Sequence, residues 1–160
     1  KLSEHKIKNN FCNVFEILLS KYIVNFQTVM IDNSYLNKNN ISFDENLSFS
    51  PDHNLVLRIA YNSPVLAMDE LLSKYRVHDN SMSSHSKAEK YNDFDYTINF
   101  FKDLGVEEKY KNFKYVALRA KYHMFLFDSF EERNYGAIIG LILKYLLSLI
   151  KDFFDRFKHG

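Results

Sequence analysis

The chain has 160 residues, enough for one domain with a real hydrophobic core. Lys+Arg (21) and Asp+Glu (20) nearly cancel and the lysines are scattered, which argues against nucleic-acid binding, since phosphate contacts need a concentrated basic face. Four glycines and two prolines are too few for a sheet protein with many tight turns, and Cys12 as the sole cysteine rules out an internal disulfide.

Helical spacing begins at once. Ile7, Phe11, Val14, Leu18, Tyr22, Phe26 and Val29 recur at steps of three and four, which predicts a first helix over residues 3–31 with Ser3 as N-cap. Cys12, among Phe11, Val14 and Phe15, reads as a small apolar core residue. The chain starts at Lys1 rather than Met, which fits the loss of a leading segment such as a signal peptide. Residues 32–49 read as a loop, because five asparagines (33, 37, 39, 40 and 46) favour turns. Asn40 and Asn46 stand in N-x-S sequons, read here as unused.

Ser50-Pro51-Asp52 is a helix start: a capping serine, a proline at the first position and an acid in the first turn. Leu57, Tyr61, Val65, Met68, Leu72 and Tyr75 then keep one phase, so the expectation at Pro64 is a kink rather than an end, with a helix restart at Ser63-Pro64 as the alternative. Residues 78–86 form a polar linker. The pattern resumes from Lys87 with Tyr91, Phe94, Ile98, Phe101 and Leu104, up to a break at Gly105. Val106, Tyr110, Phe113, Ala117, Ala120, Met124 and Phe127 follow as the most regular seam in the chain. Asp128-Ser129 is expected to close that helix, and Ser129-x-x-Glu132 to cap the last one. The short turn makes the last two helices antiparallel neighbours.

The last segment, YGAIIGLILKYLLSLI at residues 135–150, is the most telling. Its only formally charged residue is Lys144, so it is too apolar for an ordinary surface helix, yet shorter than the about 20 residues a bilayer span needs. Gly136, Gly140, Lys144, Ser148, Lys151 and Asp155 form one thin stripe of small and polar residues. One reading is a central bundle helix with Leu146 in the core and Lys144 reaching to water. The other is a membrane or partner contact built from Gly136, Gly140, Leu141, Lys144, Phe153, Phe154 and Phe157. Gly136-x-x-x-Gly140 has the small-residue spacing of close helix contacts.

Catalytic signatures are missing. The histidines (5, 53, 78, 85, 123, 159) are dispersed, and His85 with Glu89 lacks a second ligand pair for a metal. There is no glycine-rich phosphate loop and no nucleophile elbow. Paired carboxylates such as Glu107-Glu108 and Glu131-Glu132 sit near helix ends or on polar faces, where the helix dipole accounts for them. No enzyme activity, cofactor or small-molecule substrate is expected.

Phe, Tyr, Ile, Asn and Lys make up 69 of the 160 residues and tryptophan is absent, a bias that AT-rich codons produce. With that composition, the whole-chain helical layout, the single Cys12 and the GAIIGLILKYLLSLI segment, the chain resembles the small helical-bundle microneme proteins that malaria-parasite sporozoites need for cell traversal. The resemblance implies a secreted, non-enzymatic four-helix bundle. Asn25, Asn99 and His123 are read as polar residues on the bundle's seams, which would leave it poised to open.

The expectation is therefore an all-α, up-and-down four-helix bundle over residues 1–160, with room for a short fifth helix after Gly105. Its function is contact with a host membrane or a protein partner during migration through host cells. The alternative is an intracellular adaptor whose C-terminal apolar helix docks a partner.

Overall fold

The structure, a computed structural model, describes residues 14–21, 23–67, 73–74 and 87–158, with the backbone alone given for 87, 88 and 151–158. It is all-α. Seven helices are present among the described residues: α1 (Phe15–Ser20), α2 (Asn33–Asn39), α3 (Pro51–Asn62), α4 (Lys87–Asp103), α5 (Val106–Lys109), α6 (Phe113–Glu131) and α7 (Tyr135–Lys158), with a 3₁₀ turn at Phe26–Thr28. The chain forms two compact units, residues 1–113 and 114–160.

Several boundaries differ from the sequence expectation, each for a local reason. The long first helix is interrupted, because Lys21 turns extended (φ −156°, ψ 106°) while its N–H still bonds to Ile17. Residues 1–13, including Ser3 and Cys12, lie outside the described residues. The asparagine-rich tract is not all loop. Asp32 Oδ1 accepts from the Ser34 N–H at 2.8 Å and the Ser34 hydroxyl at 2.7 Å, which starts α2. Asn40 ends it in the left-handed region at φ 51°, a conformation asparagine tolerates.

Helix α3 starts at Pro51 as expected but ends before Pro64 instead of kinking through it. Ser63 is extended (φ −137°, ψ 143°), the conformation that a following proline enforces. The linker at 78–86 lies outside the described residues. Helix α4 matches its expected course, and Gly105 ends it with φ 68°. The regular seam from Val106 is split at Tyr110 into α5 and α6; its positions up to Ala120 keep their inward role, but its last, Phe127, does not. Val106, Tyr110, Phe113, Ala117 and Ala120 are buried, Met124 is half-buried and Phe127 is exposed. Helix α6 runs through Asp128 and Ser129, and the cap of α7 is Asn134, whose Oδ1 accepts from the Ala137 N–H at 3.1 Å.

In unit 1 the core centres on Phe15, fully buried among the rings of Tyr61 (5.4 Å), Phe101 (4.9 Å), Tyr110 (4.7 Å) and Phe113 (6.4 Å). Such ring pairs add about 0.5–1.5 kcal/mol each beyond the area they bury. Leu18, Leu57 and Val106 are also fully buried. Polar ties join distant segments here. Asp93 Oδ2 accepts from the N–H groups of Phe49 (2.8 Å) and Ser50 (2.7 Å), and Asn54 Nδ2 donates to Thr97 Oγ1 at 3.1 Å in a buried setting. His53 bonds to the backbone of Leu18. Burial of its ring pushes the imidazole down to about 4, although the residue keeps some exposed surface.

Unit 2 is the hairpin of α6 and α7. The Tyr122 and Tyr145 rings meet at 5.2 Å, and burial together with a hydrogen bond involving Tyr115 raises the Tyr145 phenol above its usual range.

Candidate functional site

Helix α7 divides into three sectors. On one side Ile138 is buried and Leu141, Tyr145 and Leu149 are half-buried. On the opposite side Tyr135, Ile139, Ile142, Leu143, Leu146, Leu147 and Ile150 are open to water, from 43% exposed (Ile142) to 66% (Tyr135). At 3.6 residues per turn these seven positions cover about 140° of the helix circumference. Between the sectors lie Gly140, Lys144 and Ser148 of the small and polar stripe, with Lys144 exposed and the other two half-buried, while the exposed Gly136 falls within the apolar sector.

The seven side chains of the open sector are contiguous and uncharged, and a contiguous exposed apolar patch marks an interaction site more than scattered exposed residues do. Leu146 lies within it and so is not the core residue that the bundle reading expects. At the C-terminal end of α6, Phe127 and Phe130 are also more than half exposed. No described helix is long and apolar enough to cross a membrane.

The residues singled out from sequence fall in different places. Lys144 is exposed, about 130° round the helix from the middle of the apolar sector. Leu141 lies on the packed side. A Cβ added at Gly140 would meet nothing within 4 Å, and one at Gly136 would meet only Asn134 Oδ1 at 3.9 Å, so no neighbour presses on either glycine. Phe153, Phe154 and Phe157 lie on the α7 backbone, but their side chains are outside the described residues. Sequence reading missed the seven-residue sector itself. Its spacing of three and four was available, but Ile138, Leu141 and Leu149 offer the same spacing on the other side.

The polar residues expected on the seams are not buried. Asn25, Asn99 and His123 are all exposed. Among the described residues the buried polar ones are instead Asn54, Asp93, Thr97, Asp128 and Ser129.

Unit 1 holds a cleft of 420 Å³ lined by Tyr35, Ile41, Arg58, Tyr61, Phe100 and Leu104 among others. Its guanidinium is already engaged. Arg58 Nη1 donates to the Ser42 carbonyl at 2.9 Å and the group lies 5.3 Å over the Phe100 ring. Lys109 donates to the Tyr61 carbonyl and sits 4.6 Å over the Tyr61 ring. Both cations thus brace the fold around the cleft. Among the described residues no group of three or more His, Cys, Asp or Glu side chains is arranged to hold a metal. No protein-family model, curated protein or solved structure matches the chain.

Proposed function

We propose that the protein is a non-enzymatic, secreted factor that lays the apolar sector of α7 on a membrane surface, in the setting its resemblance implies, the passage of sporozoites through host cells. One observation carries this reading: seven apolar side chains on one side of α7 are open to water with no charge among them. Among the described residues no helix is long and apolar enough to span a bilayer, and an apolar sector confined to one side is the pattern of a helix that lies in the headgroup region. Lys144, about 130° from the middle of the apolar sector, stays on the water side while that sector faces the acyl chains.

The adaptor reading, in which α7 docks a partner helix, draws on a different observation. The open space over Gly136 and Gly140 would let another helix approach closely. Flotation with lipid vesicles separates the two. The membrane reading expects the wild-type chain to float and a Leu147→Asp variant to stay behind; a soluble wild type favours the adaptor.

A further inference from the structure

We infer that the cleft of unit 1 binds a small organic monoanion, its carboxylate set against Arg58 and its flat apolar body against the surrounding rings. The inference is independent of the membrane reading, since every residue that lines the cleft belongs to unit 1.

Size and lining come first. At 420 Å³ the cleft falls within the about 300–1,000 Å³ of small-molecule sites. Tyr35, Tyr61, Phe100 and Phe101 supply aromatic rings, and Ile41 and Leu104 add aliphatic surface. Tyr61 and Phe101 pack on Phe15 at 5.4 and 4.9 Å, which ties this wall to the core. Such a lining suits a flat ligand, because rings gain from offset and edge contacts beyond the area they bury.

Charge comes second. Arg58 is the only charged residue in the lining, with no Asp or Glu to oppose it there. Its side chain is half-buried, and its bond to the Ser42 carbonyl uses one N–H. A guanidinium carries five N–H donors in a planar fork, so enough remain for the two parallel bonds a carboxylate accepts. Asp44 lies within range of the Arg58 charge but is committed elsewhere. Its Oδ2 accepts from the Tyr96 hydroxyl at 2.9 Å and its Oδ1 from the Asn46 N–H at 3.0 Å. One cation matches one negative charge, which favours a carboxylate over a phosphate dianion.

The third observation is an orphan. The hydroxyl oxygen of Tyr35 is buried and has no hydrogen-bond partner among the described residues. Leaving a buried hydroxyl unbonded is unfavourable, so one carried by a residue of the cleft wall points to a polar ligand atom as its partner.

Titration of the full chain with cinnamate, a flat aromatic monocarboxylate, tests the inference, with uncharged cinnamamide as the comparison. Calorimetry gives the affinity and amide NMR shifts give the place. Cinnamate should bind at about 1 mM or tighter, with shifts on α2, α3 and α4 around the cleft. Cinnamamide should bind about tenfold or more weakly, and Arg58→Gln should weaken cinnamate by a similar factor. Tyr35→Phe removes an unbonded hydroxyl, so its melting temperature should hold or rise while its affinity for cinnamate falls. Leu147→Asp, on α7, should bind cinnamate as the wild type does.

Absence of cinnamate binding up to about 10 mM overturns the proposal. Equal binding of cinnamamide overturns it too, as do shifts confined to α7. A folded Arg58→Gln or Tyr35→Phe with unchanged affinity is equally fatal. Should Arg58→Gln fail to fold, Tyr35→Phe and the cinnamamide comparison decide in its place.

Discussion

Asp93 and Ser50 are 43 residues apart, yet Asp93 Oδ2 accepts a hydrogen bond from the Ser50 N–H at 2.7 Å. The same oxygen takes the Phe49 N–H at 2.8 Å, and the carboxylate is buried. Helix α3 is thus capped from α4 and not by the Ser50 side chain, which makes no capping bond of its own. Asp93→Ala removes the acceptor for two N–H groups in a part-buried place, so a loss of about 2–4 kcal/mol is expected. Urea unfolding should show it as a lower midpoint with an unchanged slope.

His53 predicts a pH dependence. Its pKa falls from the ordinary 6.5 to about 4 in the folded chain, through burial, so the unfolded state takes up a proton that the folded state refuses. Stability is fully present above about pH 6.5 and declines as pH falls towards 4, with a total on the order of 3 kcal/mol. Thermal melts of wild type and His53→Gln between pH 7 and 4 should diverge in slope. An equal fall in both would place the pH dependence elsewhere.

Gly105 ends α4 at φ 68°, where a side chain is strained whatever the space around it. Gly105→Ala should therefore cost about 1 kcal/mol, against the usual gain when glycine is replaced in compatible backbone. A drop in melting temperature of several degrees is the expected reading.

The two sides of α7 should respond in opposite ways to charge. Ile138→Asp buries an unpaired carboxylate and is expected to unfold unit 2 or cost several kcal/mol. Leu146→Asp lies on the open sector and should leave helicity and melting temperature nearly unchanged. Circular dichroism melts of both variants check the division. A severe loss at Leu146 would mean that the sector is core.

Much of the fold was legible because it rests on local chemistry. The Ser50-Pro51 start, the break at Gly105 and the buried seam from Val106 to Ala120 follow from residues that act on their own backbone or repeat at helical spacing. What sequence missed depends on weaker or more distant partners. The Asp32 and Asn134 caps look like any loop residue until their N–H donors are in place, and the extended turn at Lys21 breaks an apolar phase that runs straight through it. The role of Asp93 has no sequence signal, because its donors, Phe49 and Ser50, arrive from another segment. At the candidate site the apolar excess of α7 was plain, but its open side was not. A helix apolar nearly all round has no intrinsic inside, so the choice is made by which neighbours exist.

The central claim is that the open sector of α7 enters a membrane surface. Because the chain has no tryptophan, Leu147→Trp supplies a single emitter in that sector, and Lys111→Trp, at another exposed position, supplies a control. Fluorescence of both variants would be followed as vesicles of mixed neutral and anionic lipid are added, with brominated acyl chains as quencher. The account predicts a blue shift and quenching for Leu147→Trp alone. Emission from Leu147→Trp that stays unchanged with vesicles present would contradict it.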